Sequence, residues 1–149
     1  MIEALDLKRA EAFVPQYVSL RNSYADLLLS EPVAVDETVA WMRSTTAELV
    51  ALAEDGILQG VAILYPDRDG EVAVFTREKG KGLGKQLLTA IGAVARKLGL
   101  PHVWAWVLEE NTIAQRLFET SGYILKAHES RRFQGQLKRG SRYFMALGS

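Results

Sequence analysis

Between Lys8 and about Leu29 the apolar residues Phe13, Tyr17, Leu20, Tyr24, Leu27 and Leu28 return every three or four positions, the period of a helix with one buried stripe. Pro15 lies inside that stretch, so it either kinks the helix or begins a new one, because proline lacks the amide hydrogen a helix interior needs. Met1 to Leu5 reads as a short strand before it. Ser30-Glu31-Pro32 closes the region, and Asp36 stands where it can cap a second helix through Met42. The rhythm then shortens. Leu49 to Ala53 and Leu58 to Tyr65 are apolar runs of strand length, with the turn residues Glu54-Asp55-Gly56 between them. Pro66 to Gly70 is another turn, and Glu71 to Phe75 a third strand.

Helical spacing returns after a glycine-rich turn. Leu83, Leu87, Leu88, Ile91, Val94, Ala95 and Leu98 mark one face of a long helix, with Lys85, Gln86 and Lys97 toward water and Gly99 and Pro101 ending it. Val103 to Leu108 is apolar almost throughout, as expected of a strand covered on both faces, and its Trp104 and Trp106 share one face, to be packed against a helix. A short helix spans Thr112 to Ser121 and closes at Gly122. Tyr123 to Phe133 and Ser141 to Leu147 read as a final antiparallel pair. The order predicts one α/β domain over residues 1–149: a mixed, mostly antiparallel sheet of six to seven strands with about four flanking helices.

Composition narrows the chemistry. The chain has no cysteine, which excludes disulfides, thiolate metal sites and a cysteine nucleophile, and His102 and His128 belong to no metal-ligand spacing, so no metal is expected. Lys plus Arg and Asp plus Glu both total 18, a balance that argues against nucleic acid or an anionic membrane as partner. The basic residues Lys126, Arg131, Arg132, Lys138, Arg139 and Arg142 near the end read as a solvated face. The N-terminus does not resemble a signal peptide and no apolar run approaches the ~20 residues of a membrane span, so a cytoplasmic protein is expected.

The turn Lys79-Gly80-Lys81-Gly82-Leu83-Gly84-Lys85 carries the chemistry. Glycines at the mouth of a helix let the backbone approach a ligand, the first amide hydrogens of the helix point outward, and the helix dipole adds to the charge of Lys79, Lys81 and Lys85. Phosphate is the matching ligand. A P-loop does not fit, because three residues rather than four separate Gly80 from Gly84 and Gln86 stands in the hydroxyl position. The dinucleotide fingerprint fails as well: its third glycine arrives one residue early, and Trp104 and Trp106 lie where a ribose-binding acid is due.

From Glu71 to Tyr123 the chain resembles the GNAT superfamily of acyl-CoA-dependent N-acyltransferases. That family's phosphate motif, Arg/Gln-x-x-Gly-x-Gly/Ala, reads here as Lys79-Gly80-Lys81-Gly82-Leu83-Gly84. Its second signature falls on Asn111, Ala114, Leu117, Phe118, Gly122 and Tyr123 at the family's spacing. The resemblance implies transfer of an acetyl group from acetyl-CoA to a primary amine on a small molecule or a protein N-terminus, by direct attack in a ternary complex. It implies that Val72, Ala73 and Val74 meet the pantetheine arm and acetyl group. Gly80, Lys81, Gly82, Leu83, Gly84 and Lys85 would hold the pyrophosphate, with Lys79 opening the motif, and Asn111 and Phe118 would border the cofactor. Asn111 is also the natural N-cap of its helix. Homodimers are common among similar proteins.

Two proton carriers common in that family are missing. The tyrosine that serves the departing thiolate is Phe118 here, and a glutamate base five residues before the asparagine is Trp106. Glu71, at the head of its strand, is the remaining candidate base, with Glu109 and Glu110 in reserve. An acyl-CoA-binding module with weakened catalysis is the alternative reading.

Overall fold

The computed structural model describes residues 1–148. Seven strands form one sheet in the order β1-β2-β3-β4-β5-β7-β6: β1 (Ile2–Asp6), β2 (Glu48–Glu54), β3 (Ile57–Tyr65), β4 (Glu71–Thr76), β5 (His102–Leu108), β6 (Ile124–Phe133) and β7 (Gln136–Ala146). Every neighbouring pair is antiparallel except β4 and β5. That parallel pair is the product of the strand–helix–strand unit, in which α4 (Leu83–Lys97) crosses over between the two. The remaining helices are α1 (Val14–Ser23), the single turn α2 (Ala25–Leu28), α3 (Val35–Ser44) and α5 (Thr112–Thr120). The mixed α/β architecture is the one expected from the sequence.

Period-two alternation sends each strand's apolar residues to two cores. On β3, Ala62 and Leu64 turn toward α4, where they pack with Leu87, Leu88, Ile91 and Phe118. Val61 and Ile63 turn the other way, toward Tyr17, Val14 and Met42 of α1 and α3. Both faces of β3 are therefore covered, and its near-continuous apolar run follows from that. No described helix is long and apolar enough to cross a membrane.

Several details differ from expectation. Pro15 takes the second of its two expected roles, in the first turn of α1, but short 3-10 turns over Leu7–Arg9 and Glu11–Phe13 precede it instead of a helix from Lys8. Helix α3 starts two residues earlier, so Ala34 holds the cap position and Asp36 lies in the first turn, where its charge still complements the dipole. Leu98 is exposed, because the helix ends at Lys97 and the chain turns away through Gly99 at φ 79°. The last strand begins at Gln136, five residues before Ser141. Gln134 and Gly135 both adopt positive φ, 51° and 77°, and so make a two-residue hairpin turn between Phe133 and Gln136.

Candidate functional site

Strands β4 and β5 share a single register pair, Glu71 with Trp104, supported by the Trp104 amide donating to Gly70 O at 3.1 Å. Beyond that rung they separate. The other edge of β4 is laddered to β3 along its whole length, so its outward-facing main-chain groups toward β5 have no strand partner beyond the Val72 amide. The opening is the mouth of a cleft of about 280 Å³ lined by Glu71 to Phe75 on one side and Ala105 to Leu108 on the other. Asn111 sits at the head of α5, where its Oδ1 accepts from the Ala114 amide at 3.2 Å. Phe118 lies on the same cleft, buried edge-on against Tyr123 at 4.9 Å and stacked on Tyr143 at 6.1 Å between ring centroids.

A second groove of about 240 Å³ joins the first through Val74, Phe75, Asn111 and Ala114, and its outer wall is the turn from Lys79 to Lys85. The glycines of that turn have two different reasons to be there. Gly80 and Gly82 take φ of 76° and 72°, and nothing lies within 4 Å of a Cβ placed on either, so backbone conformation alone requires them. Gly84 is helical, and a Cβ there would meet Leu117 Cδ2 of α5 at 2.7 Å, so its absence lets the two helices approach. Gly82 caps α4 from the left-handed region and leaves the first-turn amides pointing into the groove. The three lysines are less available than the sequence implied. Lys81 pairs with Glu78 at 2.6 Å. Lys79 leans over the Tyr24 ring at 4.2 Å with its ammonium against the Tyr24 hydroxyl, and partial burial holds its pKa below the usual lysine value. Tyr24 in turn donates to Thr76 O at 2.7 Å, tying the first helices to the phosphate turn. Lys85 stands exposed on the first turn of α4.

The far side of the cleft is charged in a way the spacing did not show. Glu71 is largely buried, with Arg68 Nη1 at 3.6 Å from Oε1 and Arg131 Nη2 at 3.5 Å from Oε2. The Arg131 guanidinium lies over the Trp106 ring at 4.8 Å, and Arg142 lies over Trp104 at 4.0 Å while pairing with Glu129 at 3.3 Å. The two tryptophans therefore face arginines instead of a helix. Their indole N–H groups donate to main-chain oxygens, Trp104 to Arg68 at 3.0 Å and Trp106 to Glu129 at 2.8 Å. The expected solvated basic face is corrected with them: Arg131 and Arg142 turn inward over the sheet and Lys138 is half-buried, while Lys126, Arg132 and Arg139 stay in water. Leu27 to Ser30 roof the cleft, and Gln134 at the hairpin tip donates to Glu31 at 2.8 Å, closing roof to wall.

Of the residues predicted from sequence, the structure thus gathers Glu71, Val72, Ala73, Val74, Asn111 and Phe118 on one cleft, and the Lys79–Lys85 turn on the adjoining groove. Glu109 and Glu110 are exposed and outside both. Arg21, Tyr65 and Arg68 line the cleft and were missed, and Arg131 had been read only as part of the basic face, since the four come from three separated segments with no motif to join them. No group of three or more His, Cys, Asp or Glu among the described residues could hold a metal ion.

The profile of the acetyltransferase (GNAT) family matches residues 14–123. No curated protein matches the chain in sequence. Among solved structures, yncA of Salmonella typhimurium, determined with acetyl-CoA as its cofactor, is 20% identical with a TM-score of 0.85, covering 100% of this chain and 94% of its own. A phosphinothricin acetyltransferase of Sinorhizobium meliloti in complex with acetyl-CoA is 17% identical with a TM-score of 0.84, over 99% and 89%. A spermidine N-acetyltransferase of Vibrio cholerae in complex with CoA and spermine is 18% identical with a TM-score of 0.82, over 98% and 95%. At these identities the likeness is one of fold.

Proposed function

This chain belongs to the GNAT acetyltransferase family, and from that premise we propose that it transfers the acetyl group of acetyl-CoA to a primary amine by direct attack in a ternary complex. The observation that carries the reading is the junction of two spaces: a groove edged by helix-capping glycines opens into a cleft edged by unpaired main chain of β4.

The residues present fit acetyl-CoA. Gly80 to Lys85 offer first-turn amides and the positive end of α4 to a pyrophosphate, with Lys79 beside them. Val72, Ala73 and Val74 offer a free strand edge to an amide-rich pantetheine arm, and Asn111 faces it across the cleft. When bound, acetyl-CoA supplies an activated acetyl thioester whose C–S bond breaks as the amine's C–N bond forms. The chain's own work is to hold the amine in line and take a proton from it. Positioning of this kind can supply about 7–11 kcal/mol of a barrier. Glu71 is the only carboxylate on the cleft among the described residues, and we assign it to receive the amine's proton, directly or through one water. Phe118 cannot donate a proton to the sulfur, and the nearby Tyr143 hydroxyl already donates to Glu119 at 2.9 Å, so that proton comes from water.

The test is a thermal unfolding midpoint with and without acetyl-CoA, alongside Gly82→Glu. Ligand at ~100 times its dissociation constant stabilises by about 2.7 kcal/mol, several degrees at this length. The reading expects that shift in the parent protein and its loss in the variant; a folded parent protein with no shift would overturn it.

A further inference from the structure

The cleft beside Glu71 is lined by Arg21, Arg68 and Arg131 but by one carboxylate, leaving two net positive charges where the acceptor must enter. Arg21 is engaged, donating to Glu31 O at 3.1 Å and to Ser30 Oγ. Arg68 and Arg131 are not: each stands 3.5 Å or more from Glu71, beyond a good hydrogen bond, and neither finds another acceptor among the described side chains. A guanidinium carries five donors in a planar fork shaped for a carboxylate. Aromatic rings hold both forks in place, Tyr65 under Arg68 at 4.1 Å and Trp106 under Arg131 at 4.8 Å, so little side-chain entropy remains to be lost on binding.

We propose that the acceptor is a small amine bearing its own carboxylate, in its simplest form a free amino acid. Arg68 and Arg131 take the carboxylate, and Glu71 faces the ammonium group. The proposal rests on the acetyltransferase reading and names the substrate class of the same cleft. An amino acid presents a cation and an anion separated by one carbon atom. Glu71 and Arg131, 3.5 Å apart, present the opposite pair. The same arginines repel a polyamine, which brings only positive charge. The roof at Leu27 to Ser30, fastened to the hairpin tip by Gln134 and Glu31, confines the cleft to a small molecule and supplies an apolar wall for its side chain. In the reaction the nitrogen bonds to the acetyl carbon as the thioester C–S bond breaks. The ammonium nitrogen gives up two protons to water, one of them by way of Glu71, and the departing thiolate takes one proton back from water, so one proton is released in all.

Because the chain has no cysteine, a thiol reagent reports released CoA without background from the protein. The experiment sets acetyl-CoA against the common amino acids and, for each side chain that reacts, its amide and its decarboxylated amine, together with spermidine. We expect one or more amino acids to react, with kcat/KM at least about tenfold to hundredfold above the matched amide and amine, the range a charged hydrogen-bonding pair provides. Arg131→Gln should remove that preference by raising KM for the amino acid while leaving the acetyl-CoA thermal shift intact. Arg68→Gln, at a more exposed position, provides the same reading should the first variant fold poorly. Equal or better turnover of amides, plain amines or spermidine would overturn the acceptor proposal and leave the acetyltransferase reading standing. Acetyl-CoA binding with no amino acid accepted would also overturn it. Absence of acetyl-CoA binding would overturn the reading beneath it.

Discussion

Gly140 of β7 leaves the space in which the Trp106 indole of β5 lies: a side chain on Gly140 would overlap the ring and come within 2.7 Å of Val107 O. The indole is thereby pressed flat between one strand's backbone and the Arg131 guanidinium, with its N–H fixed on Glu129 O. Gly140→Ala should force Trp106 outward at a cost of about 1–3 kcal/mol, as overpacking does, read as a lowered urea midpoint. It should also raise the acceptor's KM, since Arg131 loses its platform. An unchanged KM would mean that Arg131 is held by Glu71 alone.

Gly82→Ala tests conformation without crowding. Nothing lies near the added methyl group, so the cost comes from the left-handed backbone, about 1–2 kcal/mol in the unfolding midpoint. Affinity for acetyl-CoA should fall more than stability does, because the amides at the head of α4 lose their aim. Gly84→Ala, where the added methyl group meets the flexible end of Leu117, should be the milder of the two in binding.

Glu71→Gln should lower turnover by about a hundredfold, the lower end of what a general base contributes, with the loss shrinking as pH rises and free amine becomes abundant. Were Glu71 only to steady Arg68 and Arg131, the variant would raise KM with the pH profile unchanged. A full profile of kcat and KM separates the two.

Alkaline pH should unfold this protein early. Burial first, and then the hydrogen bond to Glu119, push the Tyr143 hydroxyl up to about 12; burial likewise raises Tyr17 and Tyr123. Such a group keeps its proton in the folded chain after the unfolded chain has lost it near pH 10. Its contribution is complete below pH 10 and is lost as pH rises toward 12. Urea midpoints at pH 8 and pH 11 should show the fall, with a shallower slope in Tyr143→Phe.

Tyr123 sits in the second signature, and its buried hydroxyl has no partner among the described residues. Tyr123→Phe should therefore be neutral or stabilising by up to about 1 kcal/mol, where loss of a buried tyrosine hydroxyl usually destabilises. A marked drop in the urea midpoint would show that the hydroxyl is satisfied after all.

Most of the framework could be read in advance because burial writes a period into the chain. Val61, Ala62, Ile63 and Leu64 had to be apolar to serve two cores, and Gly80 and Gly82 had to be glycine to bring the chain into α4 through the left-handed region. The hairpin of β6 and β7 was only half legible. Much of β6 and the first part of β7 face water on both sides, so polar residues from Gln136 onward carried no alternation to mark a strand, and Gln134-Gly135 is a weaker turn signal than Asn-Gly. The acceptor side was not legible at all. Arg68 reaches Glu71 from three residues upstream, but Arg131 meets it only through sheet order, which places β6 and β7 beyond β5, and no local pattern encodes that order. The signal that existed was negative: a neutral chain with an excess of arginine near its end had to place that charge against something.

The single rung between Glu71 and Trp104 has a mechanical meaning. Strands β1 to β4 form one plate and β5 to β7 another, and main-chain hydrogen bonding clips them together at one end only. What keeps the plates from sliding is the side-chain packing under α4, not the sheet itself. A pantetheine arm laid along the open seam would serve as the absent strand, so the ligand's affinity and the sheet's cohesion become one quantity. Amide hydrogen exchange along Val72 to Val74 and Ala105 to Val107 should then slow together, as if a zip had been drawn closed.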